Sequence, residues 1–278
     1  MRTAIKKIIT KIVNNNILWP FIKPFAKLGA FASSVRQKPP VAFNYEADPL
    51  AQLFKDKIVL NGPFKGMKYP SFSSAGSSFF PKLLGSYERE LHGVIAHFLT
   101  KDYTEVLDIG SAEGYYAIGL ALHQNCKKIY AYDTDLSART LCAQMARLNK
   151  VENKIELKET CTAEELKNFD FTGRGLIICD CEGYEQNLFD DDNIQNLKKC
   201  DLLIETHDFI DLGISEKLIG LFEKTHHIQI IKSIDDIEKV KTYTYEETNG
   251  LTRNEKMNLL REWRPAIMEW LICTPIND

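Results

Sequence analysis

Four short apolar runs in this chain end in carboxylates. Val106-Leu107 leads into Asp108, Ile129 to Tyr132 into Asp133, Leu176 to Cys179 into Asp180, and Asp201 to Ile204 into Glu205-Thr206-His207-Asp208. Directly after the first of them, residues 110 to 115 read Gly-Ser-Ala-Glu-Gly-Tyr, and an apolar helix-like segment begins at Tyr115. A strand, a tight glycine turn and a helix in that order put backbone N–H groups and the positive end of a helix dipole at the carboxyl edge of a sheet, where a nucleotide-like ligand can approach closely. Glycine suits such a turn because a side chain would block the approach or forbid the backbone angle. A carboxylate ending the next strand, Asp133, can accept hydrogen bonds from both hydroxyls of a ribose, while the neighbouring Asp135 reads as the cap of the helix that follows. The loop Thr160-Cys161-Thr162 after a third strand is where an adenine edge would lie.

The elements that must carry these residues alternate. Strands are expected at 106–108, 129–132, 154–158, 176–179, 201–204 and 228–231, with helices at 136–149, 163–168 and 214–225 between them. This alternation predicts an α/β fold built on a doubly wound parallel sheet, with ligands at the carboxyl ends of the strands. A dinucleotide site would want Gly-x-Gly-x-x-Gly, and Ala112 stands where the second glycine belongs. The pattern acid-x-Gly-x-x-x-Gly instead resembles motif I of S-adenosylmethionine-dependent methyltransferases. An NAD-dependent oxidoreductase is disfavoured on the same ground.

Upstream, the Ser86-initiated stretch with Leu91, Val94, Ile95, Phe98 and Leu99 reads as a helix lying against the sheet. KIVLNGPFKGMKYP at 57–70 reads as a hairpin turning at Asn61-Gly62, and SFSSAGSS at 71–78 as a linker or a lid over a site. The domain reading is a basic amphipathic arm at 1–45, a hairpin, Ser/Gly loop and lead-in helix at 46–100, and the cofactor-binding core at 101–278.

Charge is unevenly spread. Residues 1 to 45 hold eight Lys or Arg and no acid, leaving 27 basic against 38 acidic residues, a net −11, in the rest. So acidic a body argues against a nucleic-acid partner. Within the arm, Ile5, Ile8, Ile9, Ile12 and Val13 form one stripe with lysines outside it, which suggests peripheral membrane contact through residues 1–38 or a helix packed on its own domain. Seven cysteines, without framework spacing, point to a reducing compartment, and no run of 18 apolar residues occurs. The expectation is a cytoplasmic protein, with peripheral contact to a membrane through the arm. Cys179-x-Cys181 lacks the further pair that a zinc site needs.

The stretch CDCEGYE at 179–185 makes the likeness narrower. With LGSYEREL at 84–91, DIGSAEGYYA at 108–117, LIETHD at 203–208 and EWRPAIMEWLICTP at 262–275, the chain resembles the FkbM-type methyltransferases over roughly residues 60 to 275. That family consists mostly of O-methyltransferases acting on hydroxyls of glycans and natural products. The resemblance implies a Rossmann-like seven-strand sheet with an N-terminal helical and hairpin extension. It implies a cofactor site of Asp108, Gly110, Ser111, Ala112, Gly114, Asp133, Thr134, Cys161, Thr162 and Asp180, with Asp180 and Glu182 near the transferable methyl. Two residues depart from the family pattern: Glu113 inside the glycine turn, and Thr134 after Asp133.

Methyl transfer to a hydroxyl needs alignment and the removal of a proton. Asp180, Glu182, Glu205, His207 and Asp208 are the candidates, and His207 alone has an ordinary pKa near working pH, about 6.5. His207, Asp180 and Glu182 are accordingly the expected catalytic residues, with a metal-free histidine base favoured. The competing arrangement uses Asp180, His207 and Asp208 as ligands of a divalent ion. A glycan or other small hydroxylated molecule is the expected substrate; a non-catalytic nucleotide-binding or interaction module of the same fold is the alternative.

Overall fold

The computed structural model describes residues 44–123 and 126–276. The chain divides into two units, Met1–Asn44 and Tyr45–Asp278, so the basic arm lies outside the described residues apart from its final positions. No helix among the described residues is long and apolar enough to cross a membrane.

Seven strands form one sheet: β1 (Glu105–Ile109), β2 (Lys128–Tyr132), β3 (Ile155–Lys158), β4 (Gly175–Cys179), β5 (Asp201–Thr206), β6 (His226–Lys232) and β7 (Glu269–Pro275). Their order is β3-β2-β1-β4-β5-β7-β6. β7 runs antiparallel to both of its neighbours and the other pairings are parallel. This order with a reversed seventh strand is that of the Rossmann-like methyltransferase fold. β1 pairs with β4 from Glu105↔Gly175 to Ile109↔Cys179, so Gly110 and Asp180 leave the sheet side by side.

The side-chain alternation of strands sorts the sheet into two faces, both buried. Val106, Ile129, Leu176, Ile178 and Leu203 belong to one core, shared with Phe54, Phe64, Phe79, Phe80 and Phe98 of the N-terminal segment. Leu107, Ile109, Ile177, Leu202 and Ile204 belong to the other, shared with Leu166, Phe189, Leu218 and Phe222. In chain order the helices are α1 (Phe79–Leu84), α2 (His92–Phe98), α3 (Tyr115–His123), α4 (Leu136–Leu148), α5 (Ala163–Asn168), α6 (Glu185–Leu188), α7 (Ile194–Leu197), α8 (Ile214–Phe222), α9 (Asp236–Thr242) and α10 (Arg253–Leu260). Asp135 caps α4 through Ser137 N–H, and Thr162 caps α5 through Glu165 N–H.

Three local expectations change. Residues 57–70 do fold back on themselves, with Val59 N–H donating to Met67 O at 2.8 Å, but the only β pairing is the single bridge Ile58↔Lys68. The Asn61-Gly62 peptide opens a longer loop instead of a two-residue turn, because Gly85 packs against it: a Cβ at Gly85 would stand 1.9 Å from Asn61 O. Ser86 caps nothing, and a 3-10 turn at Arg89–Leu91 leads into α2. The segment 235–262, for which the sequence suggested no regular element, carries α9 and α10.

Glu113, the departure inside the glycine turn, is fully buried. Its Oε1 lies 2.5 Å from Lys82 Nζ on α1 and accepts from Ser74 Oγ at 2.8 Å, while Oε2 accepts from Ala75 N–H at 2.9 Å. Lys82, itself buried, sits over the rings of Tyr87 and Tyr115. One ion pair thus fastens the Ser/Gly stretch and α1 to the turn. Removing only the cation leaves an uncompensated buried carboxylate, so Lys82→Met should lower unfolding free energy by about 3–5 kcal/mol. Lys82→Met with Glu113→Gln should recover much of that loss, as urea denaturation of the two variants would measure.

Candidate functional site

The glycine turn is held by its own backbone. Gly110 and Ser111 N–H both donate to Tyr132 O at 2.9 and 2.8 Å, Gly114 N–H to Ser111 O at 2.7 Å, and Ala112 N–H to Asp133 Oδ2 at 2.8 Å. These four N–H groups, expected to be free for a ligand, are taken internally. Gly110 has φ +81°, and a Cβ there would lie 1.6 Å from Asp180 O. Its glycine is required by the crossing of two loops as well as by the turn angle. Gly114, at φ +90°, is pressed against Cys142 Sγ of α4 and is not on the wall of the cavity described next.

At the carboxyl ends of β1, β2 and β4 lies a cavity of about 590 Å³. Asp108, Gly110, Ser111, Ala112, Asp133, Thr134, Cys161 and Asp180 line it, as do Ala75, Gly76 and Ser77 of the Ser/Gly stretch and Glu182 beyond β4. Thr162 does not, being turned to its role as the cap of α5. Ser111 Oγ is buried and has no hydrogen-bond partner among the described residues, which leaves it available to a ligand. Asp133 accepts from Ala112 N–H and, through Oδ1, from Asp135 N–H at 2.8 Å; a carboxylate has further lone pairs for hydroxyl donors.

The wall is acidic. Asp108, Asp133, Asp135, Glu159, Asp180 and Glu182 face the cavity, and Lys82, the cation among its lining residues, is already paired with Glu113. Asp108 is buried and its Oδ2 accepts from Ala117 N–H at 2.9 Å. Burial, reinforced by Asp180 and Asp133, pushes its carboxyl up to about 7 against the opposing Ala117 hydrogen bond.

The expected catalytic residues meet behind this wall. His207 is 3% exposed and does not line the cavity; Asp180, with 41% of its side chain exposed, does. His207 Nε2 lies 3.4 Å from Asp180 Oδ1 and 3.6 Å from Glu182 Oε2. Its Nδ1 lies 2.9 Å from Oε1 of Glu185, a fully buried residue to which the sequence reading gave no role. Desolvation draws the imidazole down, but Glu185, Asp180 and Glu182 together outweigh it and raise its pKa. Burial likewise raises Asp180, with Glu88 and Glu182 adding to it and His207 opposing.

Asp208 belongs to none of this. Its Oδ1 accepts from Ser215 N–H at 2.9 Å at the start of α8, and the third donor near Asp180 and His207 is Glu185: one atom of each lies within 4.8 Å of the others. Glu205 is removed from the candidates for a proton acceptor too. It is locked by Arg264 Nη1 at 2.6 Å and Trp270 Nε1 at 3.2 Å. Cys179 and Cys181 are both reduced, with sulfurs 3.6 Å apart.

No family model matches this chain, and no curated protein matches it in sequence. Among solved structures it is similar to a putative O-methyltransferase from Klebsiella pneumoniae, at 9% identity over 88% of this chain and 95% of that one, with a TM-score of 0.46. It is similar to an rRNA methylase from Streptococcus thermophilus, at 15% identity over 68% and 98%, with a TM-score of 0.44. The precorrin 8w decarboxylase of Methanobacterium thermoautotrophicum matches at 13% identity over 67% and 90%, with a TM-score of 0.43. Likenesses so distant concern the fold alone, and the assignment of that fold rests on the strand order above.

The raised Asp108 carboxyl has a consequence for stability. The folded protein keeps a proton that the unfolded chain, titrating near about 4, has released, so this residue's contribution is intact below about pH 4 and is lost as pH rises to about 7. Asp108→Asn keeps an acceptor for Ala117 N–H without the charge. Urea denaturation should show the variant more stable than the parent by on the order of a few kcal/mol at pH 8 and unchanged at pH 4.

Proposed function

We propose that this protein is an S-adenosylmethionine-dependent O-methyltransferase acting on a hydroxyl of a glycan or other small hydroxylated metabolite, in keeping with its resemblance to the FkbM-type family. The observation that carries the reading is the acidic cavity at the carboxyl ends of β1, β2 and β4. Its residues fit the cofactor on three counts. Ser111 Oγ lacks a partner, Asp133 ends β2 where a ribose would be held, and the carboxylates suit a ligand carrying sulfonium and ammonium charges. They fit a dinucleotide poorly, since the N–H groups of Gly110, Ser111, Ala112 and Gly114 are already bonded and the wall would repel a pyrophosphate.

S-adenosylmethionine supplies, when bound, a methyl group activated on sulfur. The protein must hold the acceptor hydroxyl in line with it and take the proton. Asp180 is the group placed to do so, since it faces the cavity and its raised pKa brings it toward working pH. With the cofactor bound, Asp180 would accept the proton of an acceptor hydroxyl presented to the cavity, the O–H bond breaking and the proton passing to one of its carboxylate oxygens. His207, behind Asp180, is the next acceptor along the same line. Asp108 and Asp133 bind and orient; the Ser/Gly stretch over the cavity restricts water.

S-adenosylhomocysteine should raise the melting temperature, and NAD should not. Asp133→Ala should weaken S-adenosylhomocysteine by about 1–3 kcal/mol, or roughly 5- to 150-fold, by calorimetric titration. No melting shift with S-adenosylhomocysteine would leave the non-catalytic module in place. The basic stripe of residues 1–38 is proposed as a peripheral contact with anionic lipid. Vesicle sedimentation at low salt should retain the full chain and release a 39–278 truncation, each cation near the surface contributing about 1 kcal/mol.

A further inference from the structure

Glu185 is a buried carboxylate that the proposed mechanism has not used. It begins α6, at the end of the loop Asp180 to Tyr184, where Glu182 and Gly183 take left-handed backbone angles of +55° and +95°. This loop bends its own later residue back beneath it. Glu185 Oε1 accepts from Cys181 N–H at 3.0 Å and from Gly183 N–H at 3.3 Å, and lies 2.9 Å from His207 Nδ1. The angle at Nδ1 falls short of a hydrogen bond in this structure, so that His207 Nδ1 and Glu185 Oε2 are both buried without a hydrogen-bond partner among the described residues. Burial alone would raise this carboxyl; His207, with the backbone N–H groups of Glu185 itself and of Cys181, overcomes it and holds it low. A fully buried carboxylate kept ionised requires a cation or strong donors beside it, and Cys181 N–H, Gly183 N–H and His207 Nδ1 are the groups within reach.

The ring is also bounded on its other side. Nε2 is directed at Asp180 Oδ1 and Glu182 Oε2, and Phe209 stands beside the ring with centroids 5.8 Å apart. The three carboxylates Glu185, Asp180 and Glu182 are the titratable groups facing the imidazole, while Glu88 and Arg264 act on Asp180 from the far side.

We propose that Glu185 is the positioning residue of the site: anchored by the loop after β4, it fixes the His207 ring with Nδ1–H toward itself and Nε2 toward Asp180. The inference rests on the methyltransferase reading for its purpose, though not for its geometry. In the resting site the ring is neutral with its proton on Nδ1, and the lone pair of Nε2 faces Asp180. After a hydroxyl proton reaches Asp180, transfer to Nε2 breaks the new Asp180 O–H bond, forms an imidazolium N–H and regenerates the Asp180 carboxylate. The imidazolium then lies between two anions, which a site lacking Glu185 would not provide.

The test needs neither cofactor nor acceptor. Ring ¹H–¹⁵N and ¹H–¹³C spectra of the full chain, with His207 assigned by its absence in His207→Gln, should show the neutral His207 as the Nδ1–H tautomer. Its titration midpoint should stand above the ordinary histidine value of about 6.5. In Glu185→Gln the midpoint should fall by about one unit or more and the tautomer preference should be lost, a change that loosened packing alone would not give. Glu185→Asp, which keeps the charge, should restore part of the midpoint. An Nε2–H tautomer in the parent protein, or a Glu185→Gln spectrum with unchanged His207 shifts and midpoint, would overturn the proposal; the first needs no variant to fold. Calorimetry with S-adenosylhomocysteine keeps the two readings apart. Absence of binding to the parent protein beside the expected His207 spectra would reject the methyltransferase reading and leave the Glu185–His207 pair standing.

Discussion

Two backbones cross at the mouth of the sheet, and the site is arranged around that crossing. β1 and β4 are neighbours in register, so the turn after one and the loop after the other leave the sheet together at Gly110 and Asp180. Asp180 N–H donates to Ile109 O at 2.9 Å, and the carbonyl of Asp180 occupies the space that a side chain at 110 would need. A tight approach of this kind can be made by glycine alone, since it lacks a Cβ and tolerates positive φ. One consequence is electrostatic. The crossing brings the acids at the ends of β1, β2 and β4 close together against their mutual repulsion, and Asp108 feels both Asp180 and Asp133. Burial first, and the neighbouring carboxylates second, make Asp108 and Asp180 bind protons more tightly, so that these two aspartates exchange protons near neutrality.

How far this could be read from the sequence depended on whether a residue's partner lay nearby in the chain. Strand and helix alternation, the acids at the strand ends and the glycine turn are local patterns, and the structure places strands and helices close to the expected ranges, with Ala163–Asn168 as expected and β5 two residues longer. β7 was not located as a strand, though the seventh strand was expected. It returns antiparallel between β5 and β6 after α9 and α10, and its pairing Thr206↔Glu269 joins residues far apart in sequence. Glu113 read as a departure inside a ligand-binding turn because its partner, Lys82, belongs to an upstream helix. Glu185 read as the tail of a motif, since only the left-handed bend at Glu182 and Gly183 folds it back under His207. A pair of left-handed residues between two acids was the available signal, and Gly183 alone hinted at it. Asp208, expected beside Asp180 and His207, instead accepts from Ser215 N–H, because a strand end says where a residue stands and not which way its side chain turns.

The stretches 84–91 and 262–275, which entered the argument as parts of a resemblance, meet in a buried charge network beside the site. Arg264 lies 2.6 Å from Glu88, 2.6 Å from Glu205 and 3.0 Å from Glu262, over the ring of Trp270. Glu262 is shared with Lys239 at 2.6 Å, and Tyr116 donates to Glu88. Three carboxylates around one guanidinium would be hard to keep ionised. Burial and the neighbouring acids Asp180 and Glu88 raise Glu205 well above the usual carboxylate range against the pull of Arg264. Charges separated by about 4 Å interact by roughly 4 kcal/mol at an effective dielectric of about 20, enough to shift a neighbour's proton affinity by more than tenfold. Burial and His207 weigh most on Asp180, and the network adjusts it from a distance, Glu88 raising its proton affinity and Arg264 lowering it. Neither Arg264 nor Glu205 lines the cavity. Tyr87 of the first stretch lines the cavity itself and Arg264 of the second acts on Asp180 from outside it, which sets both stretches beside the glycine turn.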